Sequence, residues 1–469
     1  MSNQKQRLLS AIPPSNEIFS HPQIRSLLKK YSRDFVHSVV REQIESHKQF
    51  LLNQKNNLSR ERHKQKIVRE VIGKIEKLMQ PGLQRVINAT GIILHTGLGR
   101  APLCRDAREN LQNIAEGYSS LEIDLESGER GDRATRVEEL ICRLTGADAA
   151  CVVNNNAAAV LLTLNTLAFE KEVIISRGQL IEIGGSFRMP DVMQRSGAQM
   201  VEVGTTNKTH LQDFEKAITP ATGLVCVVHP SNYRVKGFTK EVNLSELVEI
   251  SKKHQVPIFQ DLGGGVLVDL KKYNLPYEPV VRESVEIGVD IISFSGDKVL
   301  GGPQSGLIVG KSKYIDMIKK NPLMRALRCD KLVYAVLEPT LRLYFHEPSL
   351  KTSNEVLRML LESPNRLEKR ARRLQKQVSA TARKLGHIGV ERTTVQIGSG
   401  ALPLEELPSW ALVLRSNKTS TSELARKFRL SSTPIIGYIR DDKLLFDIRT
   451  IRPDQDQLLV ETIAQVLAE

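Results

Sequence analysis

Three groups of polar residues each come directly after an apolar run, and their side-chain types suit chemistry on a bound anion. In PIFQDLGGG, Asp261 ends one run and three glycines follow. In IISFSGDKVLGGPQSG, Lys298 stands in a loop rich in glycine and serine, three residues after Ser295. In ACVVNNNAAAV, three asparagines separate an apolar run from small residues typical of a first helical turn.

Pyridoxal phosphate (PLP) requires these residue types. Its aldehyde forms a Schiff base with a lysine amine, which then acts as acid and base at the substrate α-carbon. A carboxylate keeps its pyridine nitrogen protonated, and N–H groups at a helix N-terminus bind its phosphate. We therefore expect Lys298 to be the Schiff-base and catalytic lysine and Asp261 to be the partner of the ring nitrogen. The predicted phosphate ligands are Asn155, Asn156, Ala157 and Ser295.

Ser231 and Asn232 follow the apolar run Leu224–Val228, which precedes the run that ends at Asp261. Both are candidates for contact with the ring hydroxyl of PLP. Each motif alone is a weak signal, because a lysine after a strand usually lies at the surface and an aspartate there often caps a helix. The combination of lysine, aspartate and asparagine turn in one chain is what indicates the cofactor.

Short apolar runs that alternate with helical patterns must position these groups. Nearly continuous apolar strands separated by helices predict a mainly parallel sheet covered on both faces, as in a three-layer α/β domain. Ligands bind at the carboxyl ends of such strands, where all three motifs fall. The predicted strands are Ala149–Val153, Val173–Ile175, Val201–Val203, Leu224–Val228, Val256–Phe259, Ile291–Phe294 and Leu307–Val309.

Three domains are predicted over the 469 residues, more than one hydrophobic core usually supports. Residues 1–82 form a basic helical domain and linker, in which apolar residues recur at three- and four-residue steps from Pro22 to Asn53. Residues 83–335 form the large PLP-binding domain. Residues 336–469 form a small α+β domain with a helix over Asn365–Leu385, strands Ala411–Leu414, Ile435–Ile439 and Leu444–Ile448, and a final helix from Gln455.

Charge is concentrated at the N-terminus of a chain whose formal net charge is +14. Residues 1–80 hold 16 Lys/Arg and 7 Asp/Glu, so they carry most of the excess. A basic segment attached to a nearly balanced body indicates a polyanionic partner, although a solvated basic helix explains the charge equally well. No apolar run is long enough to span a bilayer, and the five cysteines lack metal-ligand spacing, so we expect a cytoplasmic protein without a metal site.

Seven blocks, in the same order, give the chain a resemblance to bacterial selenocysteine synthases, the L-seryl-tRNA(Sec) selenium transferases. The blocks are VINATGIILHTGLGRAPL, GYSSLEIDLESGERGDR, SRGQLIEIGGSFRMPDVM, HPSNYRVKGF, QDLGGG, SFSGDKVLGGPQSG and NPLMRALRCDK. The resemblance implies a fold-type-I (aminotransferase-like) PLP enzyme, a homodecamer built as a pentamer of dimers, and an N-terminal domain that binds tRNA.

The same resemblance implies the reaction. Seryl-tRNA(Sec) would replace Lys298 on PLP as an external aldimine, and the freed lysine would remove the α-proton. Loss of the β-hydroxyl as water would leave an aminoacrylyl ester, to which selenium from selenophosphate would add. The product would be selenocysteyl-tRNA(Sec).

A small phosphate-like donor requires cationic ligands besides those that hold PLP. The candidates for substrate or selenophosphate contact are Arg100, Arg133, Arg136, Arg325, Arg328 and His95. We expect Arg325 and Arg328 to share one face of a helix, since they are three residues apart. In the family, arginines that match Arg100, Arg133, Arg325 and Arg328 line the substrate site, some of them from a neighbouring subunit.

Two other functions fit parts of the sequence. One is a PLP-dependent lyase or β-replacement enzyme for a small or phosphorylated amino acid, which the basic N-terminal segment disfavours. The other is a nucleic-acid-binding regulator that has lost catalysis, which the intact lysine, aspartate and asparagine turn disfavour.

Overall fold

The structure, a computed structural model, describes residues 11–53, 59–184, 187–230, 233, 235–378, 386–398 and 405–468. The chain folds into two compact units that divide between Arg85 and Val86. Within the described ranges, no helix combines the length and the apolar character needed to cross a membrane.

The N-terminal unit is helical, as predicted, and has a hydrophobic core of its own. The apolar pattern from Pro22 to Asn53 forms two helices instead of one continuous segment, because the backbone of Tyr31 is extended (φ −124°, ψ 160°). The apolar faces of the helices pack together, and the basic side chains between them are exposed. The described helices of this unit are Ser15–Phe19, Pro22–Lys30, Arg33–Asn53 and Arg60–Met79.

A seven-stranded sheet lies at the centre of the second unit. The strand next to the edge, Gly306–Gly310, is antiparallel to both of its neighbours, and the remaining pairs are parallel, which confirms the predicted mainly parallel sheet. In spatial order the strands are Ala149–Val153, Gly306–Gly310, Ile291–Ser295, Ile258–Gly263, Thr222–Val228, Glu172–Ser176 and Gln199–Val203.

Helices cover both faces of this sheet. Adjacent residues of one strand, such as Ile258 and Phe259, belong to different hydrophobic clusters, because successive side chains of a strand point to opposite faces. Each face is therefore buried, and the three-layer prediction is confirmed. The helices are Arg105–Ala115, Thr135–Thr145, Asn156–Ala168, Met189–Arg195, Leu211–Ala217, Leu244–His254, Val281–Ile287, Ser312–Lys320, Leu323–Leu327 and Lys331–Leu343.

A second sheet is formed mainly by the C-terminal part of the chain. In spatial order its strands are Tyr438–Arg440, Lys443–Asp447, Glu406–Ser416, Gly386–Gly398 and Ile92–Leu94. A short parallel pair joins Ile87–Asn88 to Ile435–Ile436. The core on this sheet also includes apolar residues of the helices Pro364–Gln377, Thr421–Leu430 and Asp456–Ala468. Two further helices, Glu347–Ser353 and Glu355–Leu361, bury their apolar residues in a core shared with the central sheet.

Residues near the start of the second unit thus pair with C-terminal strands, and residue 335 lies within the helix Lys331–Leu343. The division at residues 82 and 335 stays a prediction. The remaining short elements are the strand pair Glu182–Ile183 and Phe187–Arg188 and the 3-10 turns Thr96–Leu98, Arg177–Gln179, Leu270–Tyr273 and Pro453–Gln455.

Candidate active site

Lys298 lies in the loop that joins the strands Ile291–Ser295 and Gly306–Gly310, at the carboxyl end of the first. Its side chain is buried, with 5% relative exposure, and it forms no hydrogen bond or ion pair with the described residues. Burial lowers the pKa of its amine, whereas the charges of Asp261 and Asp297 oppose that change. A buried amine that gives up its proton readily can act as a nucleophile towards a carbonyl.

Asp261 lies in the adjacent strand, Ile258–Gly263, and one of its oxygens accepts three hydrogen bonds. Asn156 Nδ2 (2.8 Å), Ser293 Oγ (3.1 Å) and the Gly263 backbone N–H (3.2 Å) all donate to Oδ1. Burial raises the pKa of the carboxyl, and these donors together with Lys298 act in the opposite direction. No described residue donates to Oδ2, which leaves that oxygen able to accept an N–H from a ligand.

The asparagine turn lies where the strand Ala149–Val153 ends and the helix Asn156–Ala168 begins. The side chain of Asn155 caps this helix by accepting a hydrogen bond from the Ala158 N–H at 2.8 Å. The side chain of Asn156 instead donates to Asp261, and its own Oδ1 atom is buried with no hydrogen-bond partner among the described residues. The backbone N–H groups of the first helical turn, including that of Ala157, point out of the helix end as an anion site requires.

Glycine is required where the neighbouring strand passes this turn. A Cβ atom added to Gly306 would lie 2.2 Å from the backbone oxygen of Asn155. Ser295, which is buried, pairs in register with Gly306, and Gly306 pairs with Val153 at the entrance to the turn. The predicted phosphate ligands therefore share one edge of the sheet. Ser231 and Asn232 lie outside the described residues.

Arg100 and His95 belong to one turn, in which the Arg100 N–H donates to the His95 oxygen at 3.0 Å. Arg100 Nη1 donates to Asp297 Oδ2 at 2.5 Å, so its guanidinium lies beside the residue that precedes Lys298. The backbone of Arg100 has a positive φ of 60°, which is uncommon for a residue with a side chain. The Nδ1 atom of His95 is buried and has no hydrogen-bond partner in the part of the chain that the structure describes. The structure thus brings Arg100 to the predicted site.

A separate cavity of about 310 Å³ is lined by Arg133, Arg325 and Arg328. Arg133 donates to a carboxylate oxygen of Glu122 and to the Cys329 backbone oxygen. Arg325 and Arg328 are exposed and have no carboxylate partner among the described residues. Two unpaired arginines beside a third make this cavity suited to an anion.

The expected shared helical face of Arg325 and Arg328 is wrong. The helix Leu323–Leu327 ends before Arg328, whose backbone is extended (φ −64°, ψ 148°) because it pairs with Val153 of the central sheet. The structure also leaves Arg136 out of this cavity, since its exposed side chain lines a neighbouring groove of about 790 Å³.

Several residues of the site were not assigned roles from the sequence. Ser293 holds Asp261, and Asp297 holds Arg100. The buried carboxylate of Glu278 has its Oε1 atom 3.3 Å from His229 Nε2, and its charge acts on Lys298. The sequence offered a signal for Ser293, because it lies two residues before Ser295 and therefore on the same face of the strand. It offered none for Glu278, which lies in a segment without a motif.

The described residues fit PLP on two observations, the open Oδ2 of Asp261 and the close approach that only glycine permits at position 306. Lys298, Asp261 and the asparagine turn meet at one sheet edge, where α/β proteins bind ligands. The fold is that of a fold-type-I PLP-dependent enzyme, and this cluster is its candidate cofactor site.

Comparison with known proteins identifies the family. A family model described as L-seryl-tRNA selenium transferase matches residues 86–452. The chain is 44% identical over 466 residues to the L-seryl-tRNA(Sec) selenium transferase of Alkaliphilus oremlandii, which covers 99% of both chains. It is 47% identical over 464 residues to that of Caldanaerobacter subterraneus subsp. tengcongensis, with 98% of both chains covered. The chain belongs to the L-seryl-tRNA selenium transferase family.

Among solved structures, the chain is similar to D-glucosaminate-6-phosphate ammonia-lyase, with a TM-score of 0.55 and 18% sequence identity. The similarity covers 84% of this chain and 98% of the other. At this identity the likeness supports the fold.

Proposed function

We propose that this chain converts seryl-tRNA(Sec) to selenocysteyl-tRNA(Sec) with PLP as cofactor and selenophosphate as selenium donor. The observation that carries the proposal is the full-length similarity to transferases of that name in a chain that keeps the buried pair Lys298 and Asp261. The basic N-terminal unit is included in that similarity, which favours a tRNA substrate over a free amino acid.

Lys298, Asp261 and the asparagine turn would hold the cofactor. When bound, PLP supplies an electron sink that stabilises negative charge at the substrate α-carbon. Lys298 Nζ takes the α-proton of the seryl group, and the β-hydroxyl leaves as water after it receives a proton. Because burial favours the neutral amine, Lys298 is able to accept that proton and pass it on. Selenium from selenophosphate would then form its bond to the β-carbon while Lys298 returns a proton to the α-carbon, and water would break the selenium–phosphorus bond and release phosphate.

The cavity lined by Arg133, Arg325 and Arg328, here called the arginine cavity, would receive the selenium donor. Arg325 and Arg328 have no carboxylate partner among the described residues, so an anion there would supply their missing counter-charge. Arginine binds phosphate-like oxygens through two parallel hydrogen bonds, which suits a small tetrahedral anion. Arg100, whose guanidinium lies beside Asp297, would contact the seryl ester together with His95 of the same turn. Arg136 would contact the part of the substrate that enters the neighbouring groove.

The N-terminal unit would bind the tRNA backbone. Its basic side chains, among them Arg25, Lys29, Arg33 and Arg41, are exposed, while its apolar residues form its core. Contacts of this type go mostly to phosphates, so binding should weaken steeply with salt. Since aminoacyl-tRNA is used in the cytoplasm, we infer the same location for this chain.

We also propose that the chain forms a decamer, a pentamer of dimers. The segment around the bridge between Ile123 and Arg130 exposes three large apolar side chains, Tyr118, Ile123 and Leu125. A concentration of exposed apolar surface usually marks an interface. A second copy of the chain would cover these residues and bring its own side chains to the site.

The decisive assay combines the purified protein, seryl-tRNA(Sec) and selenophosphate, with free serine and phosphoserine as competing substrates. Formation of selenocysteyl-tRNA(Sec) is expected, and Lys298→Ala should abolish it. Turnover of a free amino acid without turnover of the charged tRNA would instead support a small-molecule lyase.

A second experiment tests the N-terminal unit. A variant without residues 1–85 should retain the visible absorbance of bound PLP but should not turn over seryl-tRNA(Sec). Unchanged turnover would refute the proposed role of the N-terminal unit in tRNA binding.

A further inference from the structure

The arginine cavity also contains an ion pair that has no role in the proposed reaction. Glu138, in the helix Thr135–Thr145, accepts a hydrogen bond from Lys319, in the last turn of the helix Ser312–Lys320. The carboxylate side chain has a relative exposure of only 12%. Both residues line the cavity together with the three arginines, so the pair faces the space in which an anion would bind.

The charges of the cavity are unevenly matched. Arg133 is paired with Glu122, and Lys319 is paired with Glu138, whereas Arg325 and Arg328 have no carboxylate partner within the described residues. Asp132, the only other acid among the described residues of the lining, is exposed and accepts a hydrogen bond from the Ala134 N–H. An entering anion would therefore be attracted by the two free arginines and repelled by Glu138.

Protonation of Glu138 would remove that repulsion and release Lys319. Burial raises the pKa of Glu138, with a further contribution from Asp132, although Lys319 opposes the change. Other titratable groups around the pair are thiols and a phenol whose pKa values burial also raises, so they remain neutral near neutral pH: Cys142, Cys151, Cys329 and Tyr334. A bound anion would place a further negative charge near Glu138, which favours the protonated carboxyl. Glu138 is therefore the buried acid of this cavity whose charge would respond to an anion.

We propose that Glu138 and Lys319 form a charge latch in the anion cavity. When an anion binds, Glu138 takes up one proton from solvent, and the ammonium group of Lys319 moves from the carboxylate to the anion. No covalent bond changes except the new O–H bond of Glu138. This inference rests on the proposed function, because it assumes that the cavity receives the anionic donor, and it adds Lys319 as a ligand and Glu138 as the residue that positions it.

The test uses the full-length, PLP-loaded protein and inorganic sulfate, whose charge does not change near neutral pH. Calorimetric titration in two buffers with different ionisation enthalpies measures the protons taken up on binding. The wild type should take up a proton and bind sulfate more weakly as the pH rises. Glu138→Gln should bind sulfate about tenfold more tightly in mildly basic buffer, without proton uptake, because one negative charge near the anion is gone. Lys319→Met should bind it more weakly than the wild type.

Two comparisons separate the possible failures. Glu139→Gln is the matched control, since Glu139 is an exposed neighbour paired with Arg143 and does not line the cavity; it should behave as the wild type. If replacing both Arg325 and Arg328 with glutamine leaves sulfate binding unchanged, the cavity is not an anion site, and the proposal falls with it. If that double variant weakens binding but Glu138→Gln matches the wild type, only the latch is overturned. Absence of proton uptake by the wild type also overturns it, whatever the variants do.

Discussion

Acid should open the N-terminal unit through a buried pair of histidines. His47, in the helix Arg33–Asn53, and His63, in the helix Arg60–Met79, have relative exposures of 2% and 1%. Their atoms Nε2 and Nδ1 lie 2.9 Å apart, so one of them must be an unprotonated acceptor. Burial, followed by the charges of His63 and Lys66, lowers the pKa of His47 from 6.5 to about 4. The Glu70 carboxylate, 3.9 Å from His47 Nδ1, is too distant for a hydrogen bond.

The size of the effect follows from the two pKa values. In the unfolded chain His47 binds its proton near pH 6.5, whereas in the folded chain it does so only near pH 4. The unfolded state therefore binds more protons between these values, and folding stability falls as the pH is lowered through that window. A pKa shift of one unit corresponds to about 1.4 kcal/mol. Lowering the pH from 6.5 to 4 should therefore reduce the unfolding free energy by at most about 3 kcal/mol. Above pH 6.5 His47 causes no such loss.

Hydrogen exchange of the intact protein, followed by mass spectrometry of peptides from the two helices, measures this local opening free energy at each pH. His47→Gln keeps a hydrogen-bond donor towards His63 but cannot be protonated, so its opening free energy should depend much less on pH. His37→Gln, at a half-buried position in the same helix, is the control and should retain the dependence of the wild type. An equal loss of protection in the wild type and in His47→Gln would refute the reasoning.

Three further substitutions test the site and the helices. Ser293→Ala removes one of three donors to the buried Asp261 and should weaken PLP binding about tenfold in absorbance titrations, because a hydrogen bond to a charged group is worth about 1.5–3 kcal/mol; an unchanged dissociation constant would contradict this. Gly306→Ala would push its Cβ against the Asn155 oxygen and should lower the unfolding free energy by about 1–3 kcal/mol in thermal melts, with weaker PLP binding. A Cβ at Gly73 would have no atom within 4 Å, so Gly73→Ala should instead increase the protection of the helix Arg60–Met79 against hydrogen exchange by about 0.5–1 kcal/mol. Decreased protection would show that the added methyl group meets a neighbouring atom.

The central strands were predictable because each is a short apolar run buried on both faces. Ala149–Val153 was predicted with its observed bounds, and the other six were found within a few residues. The strand predicted from Val256 begins at Ile258, after Pro257, whose missing N–H cannot donate to a neighbouring strand. The strand Gly386–Gly398 was missed, because its exposed polar residues interrupt the apolar pattern and its long pairing with Glu406–Ser416 is not visible locally.

The C-terminal helix and strands show the same limit. The helix predicted over Asn365–Leu385 is observed at Pro364–Gln377, and residues 379–385 lie outside the described part of the chain. The run predicted as one strand from Ile435 to Ile439 is two strands, separated at Gly437, where a Cβ would lie 2.5 Å from the Leu445 oxygen. The two strands also pair with different partners, Ile435–Ile436 with Ile87–Asn88 and Tyr438–Arg440 with Lys443–Asp447, so pairing within the fold decides that interruption.

The sequence by itself determined the types of the candidate active-site residues and the strand ends on which they lie. An apolar run followed by a reactive side chain is a local pattern, and parallel strands must bring such ends to one edge. Only the tertiary structure decided which side chains meet: Asn156 with Asp261 across 105 residues, Arg100 with Asp297 across 197, and Lys319 with Glu138 across 181. Many donors and acceptors in the chain are chemically equivalent, so the order in which strands and helices pack selects the partners.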